Sequence, residues 1–508
     1  MSSPLQNITV AAPGFRGLNT QDSPLSLDNS FASIADNCVI DQYGRIGARK
    51  GRELLTTNPE ILGTSNGLGT ITEFVNEAGV SIIFSAGNNK IFTGTTTLVD
   101  ATPVGTTIVG NEWRIVNFTN HCYFFQKGNE PLVYADHEGV ITTVEEHDHS
   151  TGTPPQGNEV LAAFGRLWVA DVEGDPNTIY WSDLLDGTKW TGGSTGSLNL
   201  SKVWPTGYDE VIGLAAHNGF LIIFGKTSIV IYSGAESPAN MVLSDTIANV
   251  GCKHRDSIQN VGTDLFFLSN EGVRSLGRVI QEKSSPVRDI SKNVRNDLLH
   301  IANLQTNGIK SVYSPEEAFY LISFPSSSVV YCFDMRTPLE DGSHRATVWT
   351  GISLRSFART VDGILYMGNA DGINTYSGYL DVTSPYQVNY FTNPLDFGDS
   401  SRLKILKELD LTFIGGQNTK VTVNWGYDYT QAYTKEVITL KNSLLAEFNV
   451  AEFNVPTSEY GASIILDRKK VRPSGSGNVV TLGLTVTVSG VPISLQEMNI
   501  QALIGRML

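Results

Sequence analysis

Residues 218–234, NGFLIIFGKTSIVIYSG, decide the fold. Two β-branched and aromatic runs flank a turn at Gly225, Lys226 and Thr227, which is the pattern of an antiparallel hairpin. The same design recurs as SIIFSAGNNKIFTG at 81–94, NHCYFFQKGNEPLVYAD at 120–136, FGRLWVADVEGDPNTIYWSD at 164–183, GTDLFFLSNEGVRSLG at 262–277, EAFYLISFPSSSVVYCFD at 317–334 and DGILYMGNADGINTYSG at 362–378. The turns fall near residues 88, 128, 173, 225, 270, 326 and 370, a spacing of roughly 40 to 56 residues that matches propeller blades. A further short apolar run precedes several hairpins, as WRIVNF precedes CYFFQ and VIGLAAH precedes FLIIFG, so each unit carries three or four strands. One such sheet leaves both faces bare, whereas radial packing lets neighbours cover each other. The pattern therefore predicts an all-β chain built on a β-propeller of six or seven blades, in preference to one large sandwich or a β-solenoid.

Outside the repeat the pattern changes twice. After about residue 385 the strands lengthen and alternate at period two: LKELDLTFIG, TKVTVNWGYDY, KEVITLKN, ASIILDRKK, NVVTLGLTVTVSG and LQEMNIQALIG, with turns at GGQN, SGSGN and SGVP. These predict a C-terminal β-sandwich over 386–508, with the propeller over 61–385. Only SKNVRNDLLHIANL, 291–304, has helical spacing. The first 60 residues are polar, yet Ile34, Val39, Ile40 and Ile46 mark them as an N-terminal docking segment, a clamp over 1–60.

Composition limits what such a chain does. Hydrophobic residues are 41% and charged ones only 17%, so Thr, Ser, Asn and Gly must supply much of the surface polarity, as suits turn-rich β structure. Against 51 Asp and Glu stand 36 Lys and Arg, a net charge of −15, which argues against a surface that grips phosphates. Cys38, Cys122, Cys252 and Cys332 have neither Cys-x-x-Cys nor zinc spacing and read as buried, reduced thiols. The opening MSSPLQNITV has no signal-peptide character and no run is long enough to cross a bilayer, so the expectation is a cytoplasmically made chain that does not insert in a membrane.

The segment PGFRGLNTQDSPLSLDNSFASIADNCVIDQYGRIGARKG carries the most specific signal. A Gly-rich entry (Gly14, Gly17), a Ser/Pro/Leu stretch (Ser23, Pro24, Leu25) and then Asn37, a turn at Gly44 and Arg49 resemble the start of the tail tube, or nozzle, proteins of short-tailed bacteriophages, also called tail tubular protein B or DNA stabilisation protein. FGRLWVAD through NTIYWSDLLDGTKW looks like a recurring blade of the same proteins. The resemblance implies a non-enzymatic virion protein: a homo-hexameric ring beneath the portal and adaptor, touching tail fibres or spikes, that retains packaged DNA and conducts it without sequence-specific binding. It implies no cofactor. Two other readings compete, a carbohydrate-binding propeller of receptor-binding or lectin type and a glycan-active propeller enzyme.

Few residues invite chemistry. Glu145, Glu146, His147, Asp148 and His149 in VEEHDHSTGTPP could offer oxygen and imidazole ligands, but the spacing is loose and Gly and Pro residues follow, so the expectation is a channel or surface loop and no metal. Ser182, Asp186, Gly187 and Trp190 approach a sialidase-type Asp box in the wrong register and predict a tight turn. His254, Arg255 and Asp256 spell the kinase catalytic tripeptide without its companion motifs, which points to chance. Trp113, Trp168, Trp181, Trp349 and Trp425 could stack sugars, though their apolar runs predict core packing. No catalytic residue is assigned.

Overall fold

The computed structural model describes residues 5–24, 26–63, 67–277, 280, 289–306, 308–430, 432–441 and 466–507. Leu25 of the Ser/Pro/Leu stretch, Asn442 at the end of one expected strand and residues 462–465 at the start of another lie outside these.

Seven blades form the propeller among the described residues. Blade one is Leu68–Val75, Ser81–Gly87, Lys90–Thr93 and Val99–Asp100; blade two is Arg114–Phe118, His121–Phe125, Leu132–Ala135 and Val140–Thr143. Blade three is Gly157–Ala163, Arg166–Val172, Thr178–Trp181 and Gly196–Asn199; blade four is Val211–His217, Phe220–Gly225, Ser228–Ser233 and Val242–Ala248. Blade five has three described strands, Gln259–Val261, Asp264–Ser269 and Gly272–Ser275, and the helix Arg295–Asn303 buries Leu298 and Ala302 in a core shared with Leu268 and Val273. Blade six is Lys310–Ser314, Phe319–Phe324, Val329–Asp334 and Ala346–Thr350. Blade seven takes Ser356–Arg359, Leu365–Asn369 and Gly372–Tyr376 from the end of the repeat and its fourth strand, Arg52–Leu54, from the N-terminal segment, in the register Asn374↔Leu54, Thr375↔Glu53 and Tyr376↔Arg52. The chain thus closes the ring by pairing its early residues with its last blade. Separate apolar clusters weld neighbouring blades: Phe84 and Phe124, rings 5.3 Å apart, join blades one and two, and Phe224 with Phe267, 5.0 Å apart, join four and five. Such aromatic pairs contribute about 0.5–1.5 kcal/mol each beyond area burial.

The C-terminal strands form two layers. One contains Leu466–Val471, Arg402–Gly415 and Ile493–Met507, extended by Ile46–Ala48, Cys38–Ile40 and Leu5–Ala11 of the N-terminal segment. The other contains Tyr386–Thr392, Val480–Val488, Lys420–Tyr427 and Thr434–Thr439. Period-two patterning explains the facing sides: Val480, Leu482, Leu484, Val486 and Val488 are all buried. Along Arg402–Gly415 the alternation skips a beat, burying Leu406 and then Leu409, because the ladder is irregular between Leu406 and Glu408.

The strand Phe31–Asp36 lies between Ala346–Thr350 of blade six, which it meets in parallel through Asp36↔Val348, and Tyr386–Thr392 of the sandwich. One ten-stranded sheet therefore runs from the propeller into the sandwich. Ile40 and Ile46 are buried and Val39 packs on the core of blades six and seven. Ile34 is the exception among the expected docking residues: at 38% exposure it stays outside, because the register shift between Ala32 and Ile34 turns Ala32 and Ala35 inward instead. All four cysteines are buried thiols. Among the described residues no helix is long and apolar enough to cross a membrane.

Candidate functional site

The N-terminal pattern residues converge where propeller meets sandwich. Arg49, 1% exposed, sends Nη1 to Asp381 Oδ1 at 2.9 Å and Nη2 to Oδ2 at 2.6 Å, a two-pronged grip on the loop that follows blade seven. Its Nε donates to Asn37 Oδ1 at 3.0 Å, and its guanidinium lies 4.1 Å from the ring centre of Tyr386, whose hydroxyl donates back to the Arg49 carbonyl. Asn37 sits in the left-handed region, φ 54, and serves both units: Oδ1 also accepts the Thr350 N–H of blade six at 3.2 Å, and Nδ2 donates to the Gln387 carbonyl of the sandwich at 2.9 Å. Gly17, φ 79, has room for no Cβ, which would stand 2.6 Å from the Ala346 carbonyl oxygen; at Gly44, φ 73, a Cβ would stand 2.6 Å from the Pro13 Cα.

Beside this junction opens a cleft of about 650 Å³ between the hairpin Cys38–Ala48, blades six and seven and the sandwich. Its charged groups are already paired: Lys50 with Glu317, Arg45 with Asp41 at 2.6 Å, and Asp334 with Arg345 at 2.6 Å and Arg336 at 2.9 Å. Tyr43 projects at its mouth, 55% exposed, with the Arg45 guanidinium 4.2 Å from its ring centre.

At the propeller axis, side chains from blades two, three, five and six meet. Lys310 Nζ lies 2.7 Å from Asp256 Oδ2 and 2.5 Å from Glu112 Oε2; Arg114 approaches Asp256 Oδ1 at 3.4 Å and Glu159 Oε2 at 3.6 Å; Arg255 donates to Asn158 Oδ1 at 2.8 Å. Burial alone pushes the Asp256 carboxyl up, but the Lys310 and Arg255 charges outweigh it and hold the group well below the usual carboxylate range. For Glu159, burial wins over Arg114 and Arg255, and its carboxyl is raised. Burial lowers His254 to about 4, so the imidazole is neutral at pH 7. The tripeptide His254, Arg255 and Asp256 thus belongs to an ionic plug, in a 3-10 turn whose Ser257 carbonyl accepts the Tyr320 hydroxyl at 2.9 Å. Nothing in its sequence spacing signals this, since the partners come from four blades.

The loop 145–149 is split by the fold. Glu145, Glu146, Asp148 and His149 are exposed, while His147 is buried, 6% of its side chain accessible. It stands beside His121, His137 and Glu138, residues that the sequence reading did not connect with the loop because they occupy two other turns of blade two. Ser182, Asp186, Gly187 and Trp190 form a turn: Asp186 Oδ1 accepts the Thr188 N–H at 3.0 Å and Trp190 Nε1 donates to the Gly187 carbonyl at 3.1 Å. Trp113, Trp168, Trp181, Trp349 and Trp425 are all buried, so none presents an open ring face to a sugar.

No family model matches the chain. No curated protein matches it either. Among solved structures it is similar to the extracellular domain of a putative one component system from B. thetaiotaomicron (TM-score 0.43, 13% identity, 82% of this chain and 59% of that one). It is also similar to YCF48 bound to a D1 peptide (0.40, 10%, 68% and 98%) and to streptogramin B lyase (0.38, 11%, 64% and 97%). These likenesses are distant, and the propeller rests on the strand pairing above.

Proposed function

We propose that this chain is a non-enzymatic structural component of a short phage tail, one subunit of a six-membered nozzle ring that retains packaged DNA and conducts it during ejection. The observation that carries the reading is the convergence of the resemblance's own residues: Asn37 and Arg49 tie the N-terminal segment to blade six, to the loop after blade seven and to the sandwich strand Tyr386–Thr392, while Gly17 packs on blade six and Gly44 on Pro13 of the same segment. A chain stapled in this way is a stiff building block, and a heterologous contact repeated around an axis closes it into a ring. The ion-paired plug fits the same reading, because DNA conducted by such a ring runs through the lumen between subunits and not along the propeller axis. The charge of −15 on each copy keeps the wall from gripping phosphates. Glu145, Glu146 and Asp148 are the exposed acids proposed to narrow that lumen; neutralising all three should alter genome retention or ejection, and wild-type behaviour removes them from the gate. Mass spectrometry of purified particles tests the main reading. The chain should copurify with portal, adaptor and fibre or spike proteins at about six copies per particle, the count a six-fold ring requires; its absence from particles overturns the reading.

The carbohydrate-binding alternative draws on a groove of blade three whose lining includes the half-buried Tyr180 and Trp190, with Pro155 beside them. Glycan-array binding abolished by Trp190→Ala would favour it over the nozzle.

A further inference from the structure

Three turns of blade two bring three imidazoles and a carboxylate together. His121 opens the strand His121–Phe125, His137 and Glu138 occupy the turn after Leu132–Ala135, and the segment after Val140–Thr143 folds back so that His147 joins them. The ring centres of His121 and His147 are 5.3 Å apart, those of His121 and His137 6.3 Å, and those of His137 and His147 6.5 Å, with interplanar angles of 74°, 80° and 89°. Glu138 Oε1 stands 3.6 Å from His137 Nε2 and 3.8 Å from His147 Nε2.

The ring tautomers point the same way. His147 Nδ1 lies 2.7 Å from the Asp148 carbonyl oxygen and His121 Nδ1 lies 2.7 Å from the Thr119 carbonyl oxygen. A carbonyl only accepts, so in each neutral ring the proton sits on Nδ1 and the Nε2 lone pair is bare, the arrangement that backbone carbonyls impose on metal-bound histidines. The Nε2 of His147 is buried and makes no hydrogen bond, a cost that an enclosed polar atom normally avoids.

We propose that His121, His137 and His147, through Nε2, together with Glu138 form a binding site for a divalent transition metal of the zinc class on the flank of blade two. Two ligand atoms on one tetrahedral zinc, each at about 2.05 Å, are about 3.3 Å apart, and the centres of two such imidazoles are about 5.2 Å apart. The observed separations exceed these by 0.1 to 1.3 Å, the two wider ring distances both involving His137, whose side chain is 70% exposed and turns without disturbing packing. Among the described residues no group of three or more such side chains already stands in place to hold a metal, and the proposed site therefore requires the exposed His137 to swing in when the ion binds. Binding pins the turns at Thr119–Asn120 and Asp136–Gly139 to the loop that leads into blade three. The unfavourable loneliness of His147 Nε2 is relieved at the same time. Imidazole and carboxylate donors in this number suit zinc and its neighbours over calcium or magnesium, which take oxygen.

The test uses the full-length chain without an affinity tag, stripped with chelator and titrated with Zn²⁺ by calorimetry and with Co²⁺ by visible absorption. One equivalent per chain, an intense four-coordinate cobalt spectrum and a raised melting temperature are expected. His137→Gln, at an exposed position that leaves the fold intact, should weaken zinc binding by about 100-fold or more and abolish the cobalt bands. The triple change Glu145→Gln, Glu146→Gln, Asp148→Asn should leave both unchanged. Absence of binding, a six-coordinate cobalt spectrum, or equal affinity in the wild type and His137→Gln overturns the site.

Discussion

Replacing Arg49 by Met tests the junction at its centre. The change keeps most of the side chain's bulk, so little cavity opens, and what disappears is the cation. Lost with it are two bonds to Asp381, one to Asn37, one to the Lys50 carbonyl and the stack on Tyr386. Removing one partner of a buried pair costs about 3–5 kcal/mol, chiefly because the other charge is left unpaired. The Asp381 side chain is 18% exposed, so water reaches part of it and the lower end of that range applies. Loss of the cation over the Tyr386 ring adds about 1 kcal/mol, for a total near 4 kcal/mol. Urea unfolding followed by tryptophan fluorescence reads this directly, since Trp349 lies 5.9 Å from the guanidinium. Arg49→Lys keeps the charge but not the fork and should fall between the two. Because the cost comes from an orphaned carboxylate, Arg49→Met with Asp381→Asn should be less unstable than the sum of the single changes by about 2 kcal/mol. A single Arg49→Met within about 0.5 kcal/mol of wild type, the range of an ordinary surface change, would refute the reasoning.

Further outcomes are expected elsewhere in the molecule. Gly44→Ala should lower stability by more than the roughly 1–2 kcal/mol of a left-handed alanine, because its Cβ also meets Pro13, and a thermal melt checks it. Lys310→Met should cost about 3 kcal/mol at pH 7, the low end for a broken buried pair because Arg114 and Arg255 remain beside Asp256. Asp256 is depressed in the folded chain, so the stability it contributes is present above its ordinary value of 3.8 and is lost as pH falls below that; in Lys310→Met this acid slope should flatten. His254 is also depressed, to about 4 from 6.5, so the unfolded chain binds the proton first and stability falls as pH drops from 6.5 towards 4. His254→Gln should remove that segment of the pH–stability curve, and an unchanged curve would show that the imidazole is not buried as described.

Local pattern carried most of the fold. The hairpins announce the blades because each pairs neighbours in sequence through turns with strong residue preferences, and the helix 295–303 falls inside the stretch 291–304 with helical spacing. The blade count needed the structure, since the strand Arg52–Leu54 that completes blade seven pairs across more than 300 residues and its three residues have no periodicity to read. Ile34 illustrates a similar limit: a register irregularity decides which face is buried, and apolarity alone does not. Site residues were legible only where they are contiguous. Asn37, Gly44 and Arg49 stand out in one segment, whereas Lys310, Asp256, Arg114 and Glu159 meet across the axis, and His147 finds its partners 10 and 26 residues upstream, at His137 and His121. Reading the loop 145–149 as a unit missed that His147 turns inward beside His121 and His137 while its neighbours stay exposed, because side chains gather by topology and not by adjacency.

Electron cryomicroscopy of tails from purified particles decides whether this chain forms a nozzle ring. Six copies around a common lumen are expected, each propeller axis closed by its own ionic plug and the N-terminal segment clasped between propeller and sandwich. A tail map with no density for this chain, or with the chain in a different symmetry and no shared lumen, would contradict the ring.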